Sequence, residues 1–453
     1  MVTAENLVVM KFGGTSMGTP NAMRRASAIV RAHRGEVVVV VSAVSGTTDA
    51  LIALGDTALS GGDWKTAQCA IQAKHETIAR ELGLDTSLFS RFGSHLSDLW
   101  SEMMNICQGV SQFGELAPSV LDRLQSLGER LSATIFAECL KTSGVKARMV
   151  DAYELVATDR QFGSANVDFQ TTNARTTEVL SPVLADGVIP VVTGFIGQSS
   201  SPCRYTTLGR GGSDYSGAIM AAAMGAAELQ IWTDVDGMFT ADPRLIPEAT
   251  VLPQLSFAEA GELAYFGAKV LHPKTIKPAI ENGIPVCVLN TFNAAAPGTL
   301  ITSEVRPSLK SVTSKKGITV INVDSLGMLG ASGFLATAFD VFRRHNVVVD
   351  VLASSEVSVS VTVDREVPEA FVEDLRAFAA VDVQPEKAIV CLVGEGIQTD
   401  RDVLWKLFHA VRAMPIRMVS QGASQRNITF VVAESDANTA VRNIFQAFFT
   451  PPV

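Results

Sequence analysis

Hydrophobic positions open the chain in blocks. Leu7-Val8-Val9-Met10 is an apolar run that ends in Lys11-Phe12-Gly13-Gly14-Thr15-Ser16. Such a run predicts a buried strand followed by a glycine turn that can aim N–H groups at an anion. Thr19 then suits an N-cap and Pro20 a first helical position, so a helix is expected to run on to Gly35. Val37 to Val41 is a continuous β-branched run, the signature of a strand buried on both faces of a parallel sheet. It leads through Ser42-Ala43-Val44-Ser45-Gly46-Thr47-Thr48-Asp49 into another helix. Two strand–loop–helix units in succession predict right-handed crossovers and a doubly wound α/β sheet. Ligands of such sheets lie outside the carboxyl ends of the strands, where both loops fall.

Residues 60 to 127 read as mostly helical. Glu129 is expected to open a helix carrying Leu131, Ile135, Phe136 and Cys139. Val188 to Gly197 predicts a further strand and turn. A second polar cluster, Thr206 to Asp214, then precedes an alanine-rich helix from Ser216 to Met224. Within it Arg210 can grip a carboxylate bidentately, and Asp214 can pair with an ammonium. Leu229 to Thr233 reads as a strand and Asp234 to Phe239 as a turn. Phe266-Gly267-Ala268-Lys269-Val270-Leu271-His272-Pro273 is assigned to a helix, and Ile284 to Leu289 to the strand that closes the sheet.

Beyond Val305-Arg306-Pro307 the pattern repeats. A helix over Gly333–Arg344, the run Asn346–Asp350 and an alternating strand Val357–Val363 recur as Thr399–Ala413, Pro415–Val419 and Ile428–Val432. Aligning Val347 with Ile416 sets the copies 69 residues apart, one βαββαβ unit each. The second copy ends in the helix Asn438–Phe449 with no final strand. Leu309–Thr313 has no partner in the first copy, and is expected to supply that strand.

The 453 residues carry 47% hydrophobic and 18% charged side chains and a net charge of −9. This describes a well-buried globular chain of two or three domains and argues against nucleic acid or an acidic membrane as partner. Six cysteines without C-x-x-C spacing suit a reducing, cytoplasmic home. No basic-then-apolar leader or spanning run is present. Six histidines without paired spacing give no protein-held metal site. Neither a P-loop nor the protein-kinase motif set occurs. Three readings of the opening turn remain: a phosphate or carboxylate site, an ordinary strand-to-helix turn, and a nucleophile elbow, since Gly14-Thr15-Ser16-Met17-Gly18 fits G-x-S-x-G.

Taken in order, Lys11–Ser16, Gly209-Arg210-Gly211-Gly212-Ser213-Asp214, Trp232-Thr233-Asp234 and Phe266–Pro273 resemble the aspartate kinase family of the amino acid kinase fold, over nearly the whole chain. The helical segment before Glu129 and Ser355-Glu356-Val357-Ser358-Val359 are similar to its lysine-sensitive, monofunctional branch. The resemblance implies a catalytic domain over 1–305 and tandem ferredoxin-like ACT modules over 306–453, the first about 315–385 and the second about 386–453. It implies transfer of a phosphoryl group from ATP, with Mg²⁺ carried by the nucleotide, to the β-carboxylate of L-aspartate. Lys11, Asp214 and Lys269 would then be catalytic. Ser42, Thr48, Glu129, Arg210 and Ser213 would bind substrate. Lys11, Gly13, Gly14, Thr233, Asp234, Phe239, Arg244 and Lys269 would bind ATP, with Phe239 standing where relatives often carry tyrosine. Met328, Gly333, Phe334, Leu335, Asp350, Ser354, Ser355 and Glu356 would form an effector site for an amino acid such as lysine, although Ala331 and Val348 replace polar residues of lysine-sensitive relatives. A homodimer or dimer of dimers is expected. The alternatives are an amino acid-sensing regulator on an inactive kinase scaffold and a kinase for another amino acid.

Overall fold

The computed structural model describes residues 7–84, 95–267, 271, 273–325 and 333–450. The chain forms two compact units, Met1–Met238 with Val270–Ser303, and Phe239–Lys269 with Glu304–Val453.

In the first unit the valine runs behave as their composition requires. Strands β1 (Val8–Phe12) and β2 (Val37–Val41) are buried at every position, each valine contributing about 1.5–3 kcal/mol through removal from water. Further along come β3 (Ala147–Val150), β4 (Ala157–Thr158), β5 (Ile189–Thr193), β6 (Ile196–Ser199), β7 (Tyr205–Thr207) and β8 (Glu228–Thr233). β9 (Gln254–Ser256) belongs to the second unit, and β10 (Val286–Asn290) and β11 (Thr299–Thr302) return to the first. The first unit's strands of the large sheet run β3-β5-β2-β1-β8-β10-β11. They are parallel as far as β10 and antiparallel at β11. Val286–Asn290 is thus not the closing strand, since β11 lies beyond it. After β1 the chain moves to one side and later returns to the other at β8, so a switch point lies between β1 and β8.

Alternation along β1 sorts its side chains. Val8, Met10 and Phe12 join a core with Met23, Leu131 and Phe136, under the helices Pro20–Ala32 and Pro118–Thr142. Lys11 points the other way, toward the helix Gly212–Met224, where a Cβ on Gly217 would lie 3.2 Å from the Lys11 Cβ. Two expected boundaries change here. The first helix stops at Ala32, and Glu129 lies in the middle of the 25-residue helix Pro118–Thr142 instead of opening one.

The second unit is built on two long strands, β12 (Ser308–Asp324) and, beyond β13 (Leu352–Ser354) and β14 (Ser358–Val363), β15 (Ala380–Glu395). With β16 (Met418–Ser420) and β17 (Asn427–Ala433) the sheet order is β13-β14-β12-β15-β17-β16. The first half of β12 pairs with the second half of β15, Leu309 with Gly394 and Thr313 with Cys391, so the segment ahead of the first repeat completes the second. The register shifts between Lys315 and Ile318, where Gly317 takes φ 72° and Glu386 φ 58°. Each long strand therefore serves one module before that kink and the other after it. The run Asn346–Asp350 forms no strand; its expected place is taken by Leu352–Ser354.

Phe239–Lys269, placed by the sequence in the first domain, packs within the second unit. Ala241 and Ile246 are buried in the core of the second repeat, beside Val312, Leu392 and Phe430. Short apolar residues between turns carry no periodic signal that would have shown this. The helix there, Phe257–Tyr265, is closed by a Ser256–Glu259 capping box and ends before Phe266, so Phe266 and Gly267 lie beyond it, while Pro273 opens a short 3-10 turn, Pro273–Thr275. Among the described residues no helix is long and apolar enough to cross a membrane.

If Val312 belongs to the second repeat's core, Val312→Ala should destabilise the second unit by about 1–3 kcal/mol. Urea unfolding followed by circular dichroism measures this, and an unchanged midpoint would contradict the packing.

Candidate active site

The loops expected at the carboxyl ends of the strands meet there. Gly13 N–H donates to the Trp232 carbonyl at 3.0 Å, tying the turn after β1 to the end of β8 across the switch point. Ser42 N–H donates to the Phe12 carbonyl at 3.1 Å, tying in the loop after β2. At their centre the Lys11 ammonium lies 2.5 Å from Asp214 Oδ1, with side-chain exposures of 9% and 17%. Asp214 stands in the first turn of the helix Gly212–Met224, whose N-cap Gly211 adopts φ 71°. A nearly buried ion pair is weak evidence of stabilisation, because desolvation consumes most of its Coulomb energy. Its position at a switch point, with Gly13 close enough that a Cβ would sit 3.6 Å from Lys11 Nζ, points to chemistry.

Glu129 is 3% exposed. Its Oε1 accepts the Ala43 N–H at 3.2 Å, while Oε2 is buried without a hydrogen-bond partner. Gly128 permits this approach, since a Cβ there would come within 3.0 Å of the Ala43 side chain. Burial pushes the Glu129 carboxyl up to about 8, against partial opposition from the Ala43 N–H and the Lys11 charge. The vacant acceptor lacks a cationic donor.

Two supports shape the second polar loop. Asp122, seven residues before Glu129 on the same helix, accepts from Gly163 N at 2.9 Å, Thr207 N at 2.8 Å and Thr207 Oγ1 at 3.0 Å. Burial raises its pKa, and those three donors counteract the shift. It fixes Thr207 just ahead of Gly209-Arg210-Gly211. Phe195 adopts φ 68°, unusual for a non-glycine residue, and donates its N–H to Ser216 Oγ at 2.9 Å. Beside it Gly194 has no room for a side chain: a Cβ would lie 2.8 Å from Ser213 Cβ.

Lys11, Gly13, Gly14, Ser42, Thr48, Glu129, Arg210, Ser213, Asp214, Thr233 and Asp234 all lie in the first unit. Arg210 and Asp234 are exposed, and Thr48 and Ser213 half-buried. Phe239 and Arg244 belong to the second unit, where Arg244 is 90% exposed at its side chain and paired to Asp242 at 2.7 Å. Lys269 and Met328 lie outside the described residues. The other effector candidates belong to the first repeat: Gly333 caps the helix Phe334–Arg344 with φ 100°, Leu335, Ser354, Ser355 and Glu356 are exposed, and Asp350 is almost buried.

The elbow reading fails. Ser16 is fully buried, its hydroxyl engaged by Thr291 Oγ1 at 2.8 Å and the Trp232 carbonyl at 3.3 Å. Asp236, in the D-x-D-G fragment, accepts from the Asn290 and Asn293 amides and so has a structural task.

The sequence profile of the amino acid kinase family matches residues 6–290, and that of an ACT domain residues 390–448. The chain is 37% identical to aspartokinase 1, chloroplastic, of Arabidopsis thaliana over 97% of this chain and 80% of that one. It is 34% identical to the lysine-sensitive aspartokinase 3 of Escherichia coli over 98% and 99%. The crystal structure of E. coli aspartokinase III with aspartate and ADP superposes with a TM-score of 0.84 at 33% identity, covering 98% and 100% of the two chains. The chain belongs to the aspartokinase family.

Within this aspartokinase fold, sequence motifs missed Asp122, Phe195 and Ser216, which touch only other parts of the protein. Beside Thr48, Thr47 is buried with no hydrogen-bond partner for its Oγ1.

The raised Glu129 pKa sets the sign of a stability change. Below pH 4.5 the carboxyl is protonated folded or unfolded and costs nothing; between 4.5 and about 8 the unfolded chain ionises while the folded one keeps its proton, so stability falls as pH rises. Glu129→Gln should therefore raise the melting temperature at pH 7–8, with the gain vanishing below pH 4.5. Parallel thermal melts of both proteins across that range check it.

Proposed function

We propose that the chain transfers the γ-phosphoryl group of ATP to the β-carboxylate of L-aspartate, giving 4-phospho-L-aspartate and ADP. One observation carries this: a buried carboxylate with an unpartnered oxygen, Glu129, set within electrostatic reach of the cation Lys11. The first suits the ammonium of an amino acid, and the second the charge on a migrating phosphoryl group.

A β-carboxylate oxygen attacks the γ-phosphorus, forming one O–P bond as the bond to the bridging oxygen of ADP breaks. The nucleophile is already ionised, so no general base is needed. Catalysis then rests on alignment and charge neutralisation. Glu129 takes the α-ammonium, losing its proton as the cation arrives. Arg210 takes the α-carboxylate, with Ser42, Thr48 and Ser213 lining the pocket. Asp214 orients Lys11, and Lys11 and Lys269 flank the transferred group. Gly13, Gly14, Thr233, Asp234, Phe239 and Arg244 serve the nucleotide.

Among the described residues no cluster of three or more His, Cys, Asp or Glu side chains is arranged to hold a metal ion. Mg²⁺ would be carried by the nucleotide and would supply charge neutralisation at its phosphates. Residues 1–305 carry the catalytic motifs and 306–453 the regulatory ACT pair, with Phe239–Lys269 packed in the second unit.

Lysine is the effector, supported by the acidic Asp350 and Glu356 and by likeness to a lysine-sensitive relative. Its site is Met328, Gly333, Phe334, Leu335, Asp350, Ser354, Ser355 and Glu356. The first module leaves Leu335, Val348 and Leu352 exposed, apolar area suited to pairing two copies in a homodimer. All six cysteines are free thiols, in keeping with a cytoplasmic enzyme.

In a coupled assay with aspartate, ATP and Mg²⁺, Lys11→Ala should lower kcat by about 10²–10³-fold while aspartate still binds. Unchanged turnover would remove Lys11 from the mechanism, and no ADP release by the unaltered protein would remove the reaction itself.

A further inference from the structure

Asp350 connects two places that the sequence keeps apart. Its side chain is 3% exposed. Oδ1 accepts the Tyr265 hydroxyl at 2.7 Å and the Lys315 ammonium at 3.1 Å, whereas Oδ2 is buried with no hydrogen-bond partner. Lys315 also pairs with Asp364 at 3.2 Å and lies over the Tyr265 ring, 5.2 Å from its centroid. A lysine of the chain itself thus already holds one oxygen of a carboxylate whose other oxygen waits for a cation.

Tyr265 is the last residue of the helix Phe257–Tyr265, and the two residues after it pack against β12, the strand that carries Lys315. Thr313 Oγ1 donates to the Phe266 carbonyl at 3.2 Å. Gly267 has φ 132° and approaches so closely that a Cβ would sit 2.4 Å from the Ser314 carbonyl oxygen. Tyr265, Phe266 and Gly267 therefore meet Lys315, Thr313 and Ser314 of that strand respectively. Lys269 follows two positions later in the sequence.

We propose that Tyr265 is the positioning residue through which occupation of Asp350 acts on the segment leading to Lys269. The proposal rests on the effector reading above and deepens it. An amino acid ammonium arriving at Oδ2 satisfies the unpartnered oxygen. It also places a second cation on a carboxylate that Lys315 already neutralises. Like charges at one acceptor repel, so Lys315 shifts toward Asp364, and the Tyr265 hydroxyl faces an acceptor whose charge is spent. The ring loses its cation and the hydroxyl its strong acceptor in one event. The anchor that holds Tyr265-Phe266-Gly267 against the strand then weakens.

The experiment uses the full chain, with steady-state kinetics in ATP and a thermal shift as an independent readout of L-lysine binding. Tyr265→Phe keeps the ring, removes the hydroxyl and sits at a 40% exposed position, so folding should survive. In this variant L-lysine should still raise the melting temperature, while its fold-inhibition drops by about fivefold or more. Undiminished inhibition would overturn the relay, and so would loss of the lysine-induced thermal shift, which would place Tyr265 in the effector site itself. The double variant with Asp350→Asn, assayed without lysine, separates this from the effector assignment. Its KM for ATP should match that of the worse single variant, with kcat changing less than KM, whereas additive effects would overturn the relay. Should the unaltered chain show neither inhibition nor thermal shift with lysine, the effector assignment falls, and the double variant alone decides the relay.

Discussion

The ion pair between Lys11 and Asp214 joins residues more than two hundred positions apart, and the head of the first unit is arranged to make it possible. A charge at the edge of a sheet as apolar as β1 and β2 needs a partner, and the partner must arrive without filling the space a ligand requires. The helix bearing Asp214 comes close because Gly217 faces the Lys11 stem. The helix bearing Glu129 comes close because Gly128 faces Ala43. Small residues thus set the spacing, and charged ones set what can enter it. The cost falls on Glu129, which is held in a setting that favours its neutral form, whereas the role proposed for it needs the charged one. Sites that bind tightly commonly forgo stability in this way.

Much of this was readable from the chain. Val37–Val41 could be nothing but a doubly buried strand, and each polar loop was flagged by glycines next to a helix start. The missing strand of the second repeat was found by counting, because a repeat unit states how many elements it needs. Legibility stopped where a residue's task depends on long-range packing. Glu129 looked like a helix-opening dipole partner, yet it lies mid-helix because Pro118, not Gly128, starts that helix. Asp122 belongs to none of the motifs, and only the fold brings Gly163 and Thr207 to it.

The segment Phe239–Lys269 is the sharpest departure from the sequence reading. It lies within the run of residues whose motifs resemble a catalytic domain, but Ala241 and Ile246 are buried with the second repeat. Glu259 and Glu262 reinforce this: the first accepts from the Glu395 N–H at 3.1 Å, and the second from Ser424 and Asn427. Two acids on one helix, which sequence alone would assign to solvent, thus fasten it to the ACT sheet.

Because β12 and β15 each run through both ACT modules, the pair has no seam. Recombination could not exchange one module for that of a relative without cutting two load-carrying strands at Gly317 and Glu386. Inheritance must treat the two as a single part, and a lineage wishing to alter its effector is left with point substitutions rather than module swaps.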